Sequence, residues 1–307
     1  MTRFRGIRTA AVLSLIMLAG CARGTADGPV AGSPGGGPTG TVPSATAPSD
    51  PAASAERAAG GPVLQVRQTG GFVTPSMLLA RLPLISVYAD GRVVTAAPQT
   101  AEYPGPAMTV LQEHRLDPAA VRALVEKAVA AGVRSGADLG RPNVADAPST
   151  RFTVVSGQTR QAVEVVALSE ARGDDPRLTP AQNAARAKLA ALLRELTDLP
   201  STLGPPQLYV PATVAAIARP YTADGDPAVS SPPATPWPGP SLPGEILTEG
   251  TTMGCVAVSG DDAVTLLAAV RKAKATTPWT SAGRKWTVSF RPMLPEETGC
   301  ADLKAVR

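Results

Sequence analysis

The chain has 307 residues, of which 44% are hydrophobic and 18% are charged, and its formal net charge at pH 7 is +4. Aromatic side chains make up 4% of the residues, so few are available to stack on bases or sugars. Because nucleic-acid-binding proteins normally carry a concentrated basic surface, this composition argues against a nucleic-acid partner.

The first twenty residues show the three zones of a secretory signal. Three arginines give a positive start, residues 10–18 are almost wholly apolar, and the small residues Ala19 and Gly20 follow. The apolar stretch is shorter than the about 20 residues that a bilayer-spanning helix needs. We therefore predict that residues 1–20 are a signal peptide. Its removal leaves 26 basic and 25 acidic side chains, a net charge of +1.

The sequence Leu18-Ala19-Gly20-Cys21 resembles the lipobox of bacterial lipoproteins. The resemblance implies that the thiol of Cys21 receives a diacylglyceryl group and that cleavage leaves Cys21 as the first residue. Stable anchoring takes two lipid signals, and the two acyl chains, such as palmitate, supply them. The implied partner is the membrane, and the implied location is the extracytoplasmic face of the cell membrane. The alternative is an ordinary signal peptide with a chance cysteine.

The amino-acid composition gives a hint about the source organism. Arginine outnumbers lysine by 23 to 6, and alanine, glycine and proline are abundant. This pattern follows high genomic G+C content and indicates a high-G+C Gram-positive bacterium. An exported lipoprotein of such an organism would be held on the outer face of the plasma membrane.

Residues 21–61 are predicted to form a disordered tether. After Cys21 they are nearly all alanine, glycine, proline, serine and threonine. Such a segment offers too little apolar surface to offset the entropy of ordering. About forty residues of flexible chain have a root-mean-square span of roughly 35 Å, which would hold the folded part clear of the lipid headgroups.

Residues 62–219 are predicted to form an α+β domain. Residues rich in β-branched side chains flank Asp90-Gly91, which predicts a hairpin with a type I′ turn, and a second hairpin is predicted around Gly157. Asp117 and Pro118 predict the start of one helix. A second helix, to about Leu199, begins at the capping-box pattern of Thr179 and Gln182. Other extended segments are predicted at 63–67, 108–115 and 208–218.

The C-terminal part begins with a proline-rich segment, 220–245, that contains eight prolines between positions 220 and 243. Such a segment is extended and cannot join a central strand, so it is either a linker or a strap. Residues 246–307 are predicted to form a strand–helix–strand unit whose helix is capped by Asp261 or Asp262. Hairpins outnumber crossovers in the chain as a whole, which predicts an α+β fold with mainly antiparallel sheet and a few packed helices.

If Cys21 carries lipid, Cys255 and Cys300 remain as a pair. An even pair outside the cytoplasm favours a disulfide, which would close a loop of about 46 residues and stabilise the fold by about 4 kcal/mol. A redox or metal role fits less well, because redox cysteines are usually separated by two residues and no histidine accompanies this pair.

His114 is the only histidine and the one residue that suggests a general base. Strand alternation would point it away from Glu113 and Arg115, and no Gly-x-Ser-x-Gly motif indicates a nucleophile for it. We therefore predict no catalytic residue and interpret His114 as an ordinary residue on a strand face. A single histidine also excludes a multi-histidine metal site.

Two pairs of carboxylates, Asp174-Asp175 and Asp261-Asp262, are candidates for Ca²⁺ ligands. Neither pair lies in the alternating-acid loop of known calcium sites, and both precede helices, whose positive ends favour acidic side chains. We therefore expect no metal and no cofactor.

Three tryptophans, Trp237, Trp279 and Trp286, fall in the C-terminal third. Such residues can line a ligand groove, but a few tryptophans more often close a small core beside a disulfide. We interpret them as core and keep the groove as the alternative.

The functional hypothesis is a membrane-tethered extracytoplasmic lipoprotein with a non-catalytic binding or scaffolding role, whose partner is an envelope protein or a small ligand. One alternative is a hydrolase acting on the envelope without a recognisable motif. The other is an extracytoplasmic ligand sensor or inhibitor. A deep pocket that brings His114 near a serine and a carboxylate would favour the hydrolase, whereas a shallow apolar patch would favour binding.

Overall fold

The computed structural model describes residues 60–222, 232–247 and 250–304. The predicted signal peptide, Cys21 and all but the last residues of the predicted tether lie outside the described residues. None of the helices in these ranges combines the length and apolar composition that a bilayer crossing requires. The helices are α1 (Pro75–Ala80), α2 (Pro118–Ala130), α3 (Pro180–Thr202), α4 (Gly260–Val270) and α5 (Cys300–Lys304).

Seven strands form the first sheet, in the order β6-β5-β1-β2-β3-β4-β7, and all neighbouring strands are antiparallel. The strands are β1 (Leu64–Gly70), β2 (Ile85–Val87), β3 (Arg92–Ala96), β4 (Leu111–Arg115), β5 (Pro148–Ser156), β6 (Thr159–Val166) and β7 (Gln207–Leu208).

Six strands form the second sheet, in the order β10-β11-β8-β13-β12-β9. Its pairings are antiparallel except that between β9 and β12. The two sheets and few helices confirm the predicted α+β fold with mainly antiparallel sheet. The strands are β8 (Thr213–Pro220), β9 (Thr235–Pro236), β10 (Glu245–Ile246), β11 (Gly254–Ser259), β12 (Trp279–Ser281) and β13 (Arg284–Pro292).

The predicted hairpin at Asp90-Gly91 joins β2 and β3, but its turn is not type I′. Only Gly91 of the two has positive φ, at 89°. The Gly91 amide donates to the Tyr88 carbonyl and the Tyr88 amide donates to the Arg92 carbonyl, so the loop has three residues and ends in a glycine bulge. A Cβ at Gly91 would lie 2.2 Å from the carbonyl oxygen of Leu116, so close packing also requires glycine here.

Helix starts follow local signals closely. The Asp117 carboxylate accepts from the Ala120 amide at 2.7 Å and caps α2 as predicted. At α3 the Thr179 hydroxyl and the Gln182 side chain form both bonds of the capping box. The helix extends to Thr202, one turn beyond the predicted end, with a proline in its last turn.

Three features of the helices differ from the predictions. Asp261 and Asp262 do not cap α4; its N-cap is Ser259, and the two aspartates lie in the first turn, where they face the positive end of the helix. Helices α1 and α5 were not predicted, because each spans at most six residues. The Thr74-Pro75 start of α1 nevertheless repeats the Thr-Pro signal that begins α3.

The two faces of the first sheet have different coverings. One face packs against α2 and α3, which are themselves joined by an ion pair between Lys127 and Glu195. The opposite face contributes Tyr88, Val94 and Leu111, which pack against Leu294 in the segment after β13. The two sheets therefore meet at this second face, and all the described residues belong to one compact unit.

The second sheet is also covered on both faces. One face packs against α4, and the other packs against α1, α5 and the cysteine pair. Trp237 and Trp279 lie on the α4 face, where their rings meet edge to face with centroids 5.8 Å apart. The tryptophans are core residues as expected, but they lie on the face opposite the disulfide rather than beside it.

The proline-rich segment contributes edge strands to the second sheet rather than central ones. Residues 235–236 pair with β12 at one edge and residues 245–246 pair with β11 at the other. The predicted domain boundary after residue 219 falls at the end of β8, which pairs with both β11 and β13.

Candidate ligand-binding groove

A groove lies where α1, the strands β3 and β4, and the end of α3 come together. Its volume is about 990 Å³. One wall belongs to the segment around α1, which packs on the second sheet, and the facing wall belongs to the first sheet and α3. The lining residues are Val73, Met77, Ala80, Arg81, Leu82, Pro83, Leu84, Thr95, Ala96, Ala97, Pro98, Gln99, Thr109, Gln112, His114, Leu196, Thr197, Pro200, Ser201, Pro206 and Ser289.

The lining is mainly apolar with a few neutral polar groups. Among the described residues no carboxylate and no thiol lines the groove, and Arg81 is its single strong cation. The Arg81 guanidinium also donates to the carbonyl of Gly70 at 2.9 Å. Met77 projects at the rim with 55% of its surface exposed. This composition suits a ligand with an apolar body and a few hydrogen-bonding groups.

His114 occupies the floor of the groove because of strand register. It pairs with Val93 across β3 and β4, and Val93 belongs to the core beneath α2 and α3. The His114 side chain is 5% exposed, and its Nδ1 lies 3.1 Å from the carbonyl oxygen of Gly204, just after α3. The sequence prediction placed His114 correctly on a strand face, but not the groove that this face lines.

The Gly204 contact fixes which nitrogen carries the proton. A carbonyl oxygen can only accept, so Nδ1 must be the donor, and in the neutral ring Nε2 is then an acceptor. Nε2 is fully buried and has no hydrogen-bond partner among the described residues. Buried polar atoms are normally paired, which makes Nε2 the clearest point on the groove wall for a ligand N–H or O–H.

The same geometry does not assemble a hydrolytic triad. A triad histidine is oriented by a carboxylate, which stabilises the imidazolium that forms, whereas His114 is oriented by a neutral carbonyl. The Ser201 hydroxyl at the groove donates to the carbonyl of Asp198 at 2.6 Å and is not directed to the ring by that bond. Ser201 lines the same groove as His114 but no carboxylate of the described residues does, so the condition stated above for a hydrolase is not met in full.

A separate polar cluster lies between the two sheets, outside the groove lining. The Tyr88 hydroxyl donates to Glu296 at 2.7 Å, and Gln65 of β1 reaches the same carboxylate at 3.5 Å. Burial raises the pKa of the Glu296 carboxyl, against the opposing effect of the bond from Tyr88. Burial and the neighbouring Glu296 raise the pKa of Tyr88, which keeps the phenol a donor.

A buried ion pair lies beside this cluster. The Arg291 guanidinium, which is fully buried, donates to Glu297 at 2.7 Å. The second oxygen of Glu297 accepts from the Leu294 amide at 2.9 Å, which fixes the turn after β13. Both groups serve the junction between the sheets rather than an open site.

The predicted cysteine partners lie at disulfide distance. The sulfurs of Cys255 and Cys300 are 1.98 Å apart, which ties β11 to α5. Leu79 of α1 packs in the same cluster. The disulfide thus lies behind one wall of the groove and not in it.

The carboxylate pairs considered as Ca²⁺ ligands have local structural roles in a turn and at a helix start. Asp175 accepts from the Arg177 amide in a turn, and Asp261 and Asp262 begin α4. In the described part of the chain, no three His, Cys, Asp or Glu side chains are grouped closely enough to hold a metal ion. The groove itself could not be read from the sequence, because its lining combines residues 73–114 with residues 196–206 and Ser289.

No protein-family model, no curated protein and no solved structure matches this chain.

Proposed function

We propose that this protein is a lipid-anchored, non-catalytic binding protein on the extracytoplasmic face of the cell membrane, and that the groove takes a small amphipathic molecule. The single observation that carries the binding role is the unpartnered Nε2 of His114, buried in the wall of a mainly apolar groove. A ligand N–H or O–H would satisfy this acceptor once a small movement of the lining uncovers Nε2, while the apolar body covers the surrounding side chains.

The shape of the groove supports a small molecule rather than a folded partner. A volume of about 990 Å³ is at the upper end of the usual range for small-molecule sites. One wall comes from the segment around α1 and the other from the first sheet and α3, so a ligand would lie between them in an open groove.

A pair of fluorescent probes tests the role of His114. N-Phenyl-1-naphthylamine has an apolar body and one N–H donor, and 1-benzylnaphthalene joins the same two ring systems through a methylene that cannot donate. His114→Asn keeps a side-chain N–H near the position of Nδ1 for Gly204 and removes the acceptor at Nε2. We expect the full chain to bind both probes, and His114→Asn to weaken only the amine, by about five-fold.

Val264→Ala is the control, because Val264 is exposed on α4 and does not line the groove. It should leave the affinity for both probes unchanged. The proposal is wrong if neither probe binds, or if His114→Asn weakens both equally. It is also wrong if the chain hydrolyses a model ester and His114→Asn abolishes that activity.

The anchor is tested separately from the groove. Cys21→Ser should abolish metabolic labelling with a fatty acid and release the protein to the medium. The double variant Cys255→Ser/Cys300→Ser should keep its label, because those cysteines are joined to each other. Labelling that persists in Cys21→Ser would refute the lipid anchor without affecting the binding proposal.

A further inference from the structure

A second depression lies between α3 and the segment that follows β6. Its volume is about 440 Å³. Three arginines line it, Arg172, Arg186 and Arg194, together with the amide of Asn183. No aspartate or glutamate within the described ranges belongs to its lining, so the depression carries a concentrated positive charge.

Arg186 is the buried member of this group, with 5% of its surface exposed. Its Nη2 donates to the carbonyl oxygens of Val166 and Ala167 at 2.7 and 3.1 Å, and its Nη1 donates to that of Leu139 at 3.4 Å. These acceptors are neutral, so they hold the guanidinium in place without cancelling its charge. Buried charges are normally paired, and burial lowers the pKa of Arg186 accordingly.

Asp175, the acidic group that acts on the pKa of Arg186, does not neutralise this charge by contact. Asp175 opposes the lowering of the Arg186 pKa, but its Oδ1 accepts from the Arg177 amide and makes no ion pair with Arg186. A bound anion would therefore meet a guanidinium that no described carboxylate occupies.

Arg172 and Arg194 stand on the two sides of the depression. Arg172 lies on the segment after β6 and Arg194 lies on α3, and both are exposed. Neither forms an ion pair with a carboxylate of the described residues. Guanidinium groups bind tetrahedral and planar oxyanions through two parallel N–H bonds, and several of them together favour a group with more than one negative charge.

We propose that this depression binds a phosphate group, held by Arg172 and Arg194 with the charge of Arg186 behind them. The phosphate belongs either to a soluble phosphorylated molecule or to a phospholipid headgroup, since both present the same oxygens. The site is independent of the groove at His114, so either proposal can fail without the other.

Binding to the full chain tests the proposal in two arms. In the first, inorganic phosphate is titrated at constant ionic strength by calorimetry. In the second, vesicles of phosphatidylglycerol are compared with vesicles of phosphatidylcholine. We expect Arg172→Gln/Arg194→Gln to weaken binding by about ten-fold or more in at least one arm. A loss for inorganic phosphate indicates a soluble ligand, and a loss for vesicles alone indicates a headgroup.

The matched control is Arg134→Gln/Arg160→Gln, which removes the same charge at the opposite end of β6. Both arginines are exposed, and the Ser135 amide bonds the side chain of Gln161, which places them near each other. This control should change neither arm by more than about two-fold. If both double variants lose affinity equally, or if Arg172→Gln/Arg194→Gln loses none, the site does not exist as proposed.

Discussion

Tyr88, just after β2, donates a hydrogen bond of 2.7 Å to Glu296, which lies 208 residues further along the chain. This bond joins the first sheet to the segment that follows the last strand of the second. The carboxylate that accepts it is largely buried, so its ionisation is coupled to the contact between the sheets.

The first prediction concerns pH. Because burial raises the pKa of Glu296 above its ordinary value of 4.5, the folded chain holds this proton more tightly than the unfolded chain. The contribution to stability is then fully present below the unfolded pKa and is lost as pH rises through the folded pKa. We expect Glu296→Gln to gain stability relative to the wild type as pH rises from about 4 to about 7.

Urea unfolding at a series of pH values measures this difference. Glu126→Gln is the control, because Glu126 is exposed on α2 and makes no hydrogen bond or ion pair among the described residues. Its stability relative to the wild type should not change with pH. A constant difference for Glu296→Gln as well would contradict the prediction.

The second prediction concerns the buried ion pair. Glu297→Ala leaves the fully buried Arg291 without its carboxylate, and we expect a loss of about 3–5 kcal/mol in the free energy of unfolding. The double variant Arg291→Met/Glu297→Leu should recover most of that loss, because it removes both charges. Glu102→Ala, which breaks the exposed pair with Lys274, should cost less than about 1 kcal/mol. Equal losses in Glu297→Ala and Glu102→Ala would show that burial does not decide the effect.

The third prediction compares two glycines of positive φ. Gly157 turns the β5–β6 hairpin at 61° with open space around a hypothetical Cβ, whereas the Cβ of an alanine at position 91 would meet the Leu116 carbonyl. Gly157→Ala should therefore cost about 1 kcal/mol from backbone strain alone. Gly91→Ala should cost at least about 2 kcal/mol, because it adds a clash with the backbone. Thermal unfolding of the two variants distinguishes these values, and equal costs would argue against the close approach.

The fourth prediction concerns the cysteine pair, whose members are 45 residues apart. We expect Cys255→Ser/Cys300→Ser to lose about 4 kcal/mol in the free energy of unfolding, because the open chain regains loop entropy when it unfolds. Mass spectrometry of the non-reduced wild type should find the two cysteine peptides joined. Free thiols at both positions would contradict the pairing.

Local signals in the sequence were sufficient for some elements. Asp117 and the Thr179–Gln182 pattern predicted the starts of two helices, because capping uses residues within four positions of each other. Asp90-Gly91 predicted a hairpin but the wrong turn type, because Tyr88 pairs with Arg92 and leaves a three-residue loop between them.

Other features depend on contacts that no local pattern records. Strands of two residues, such as β7 and β9, exist only because a longer strand pairs with them. The groove combines segments that are distant in sequence, and Arg186 gives no local sign that it is buried. The alternation of residues along β4 predicted that His114 lies on a strand face. It could not show that this face lines a groove.

Helix α1 has only six residues, and its two sides face different surroundings. Leu79 rests on the cross-linked cluster of the second sheet, while Met77 and Ala80 line the groove. In the proposed complex, this wall is held from behind by the disulfide of Cys255 and Cys300, to whose cluster Leu79 belongs. In the proposed complex we therefore expect adjustment in residues 97–110, which lie between β3 and β4 and form an isolated bridge at Pro106 with Lys274.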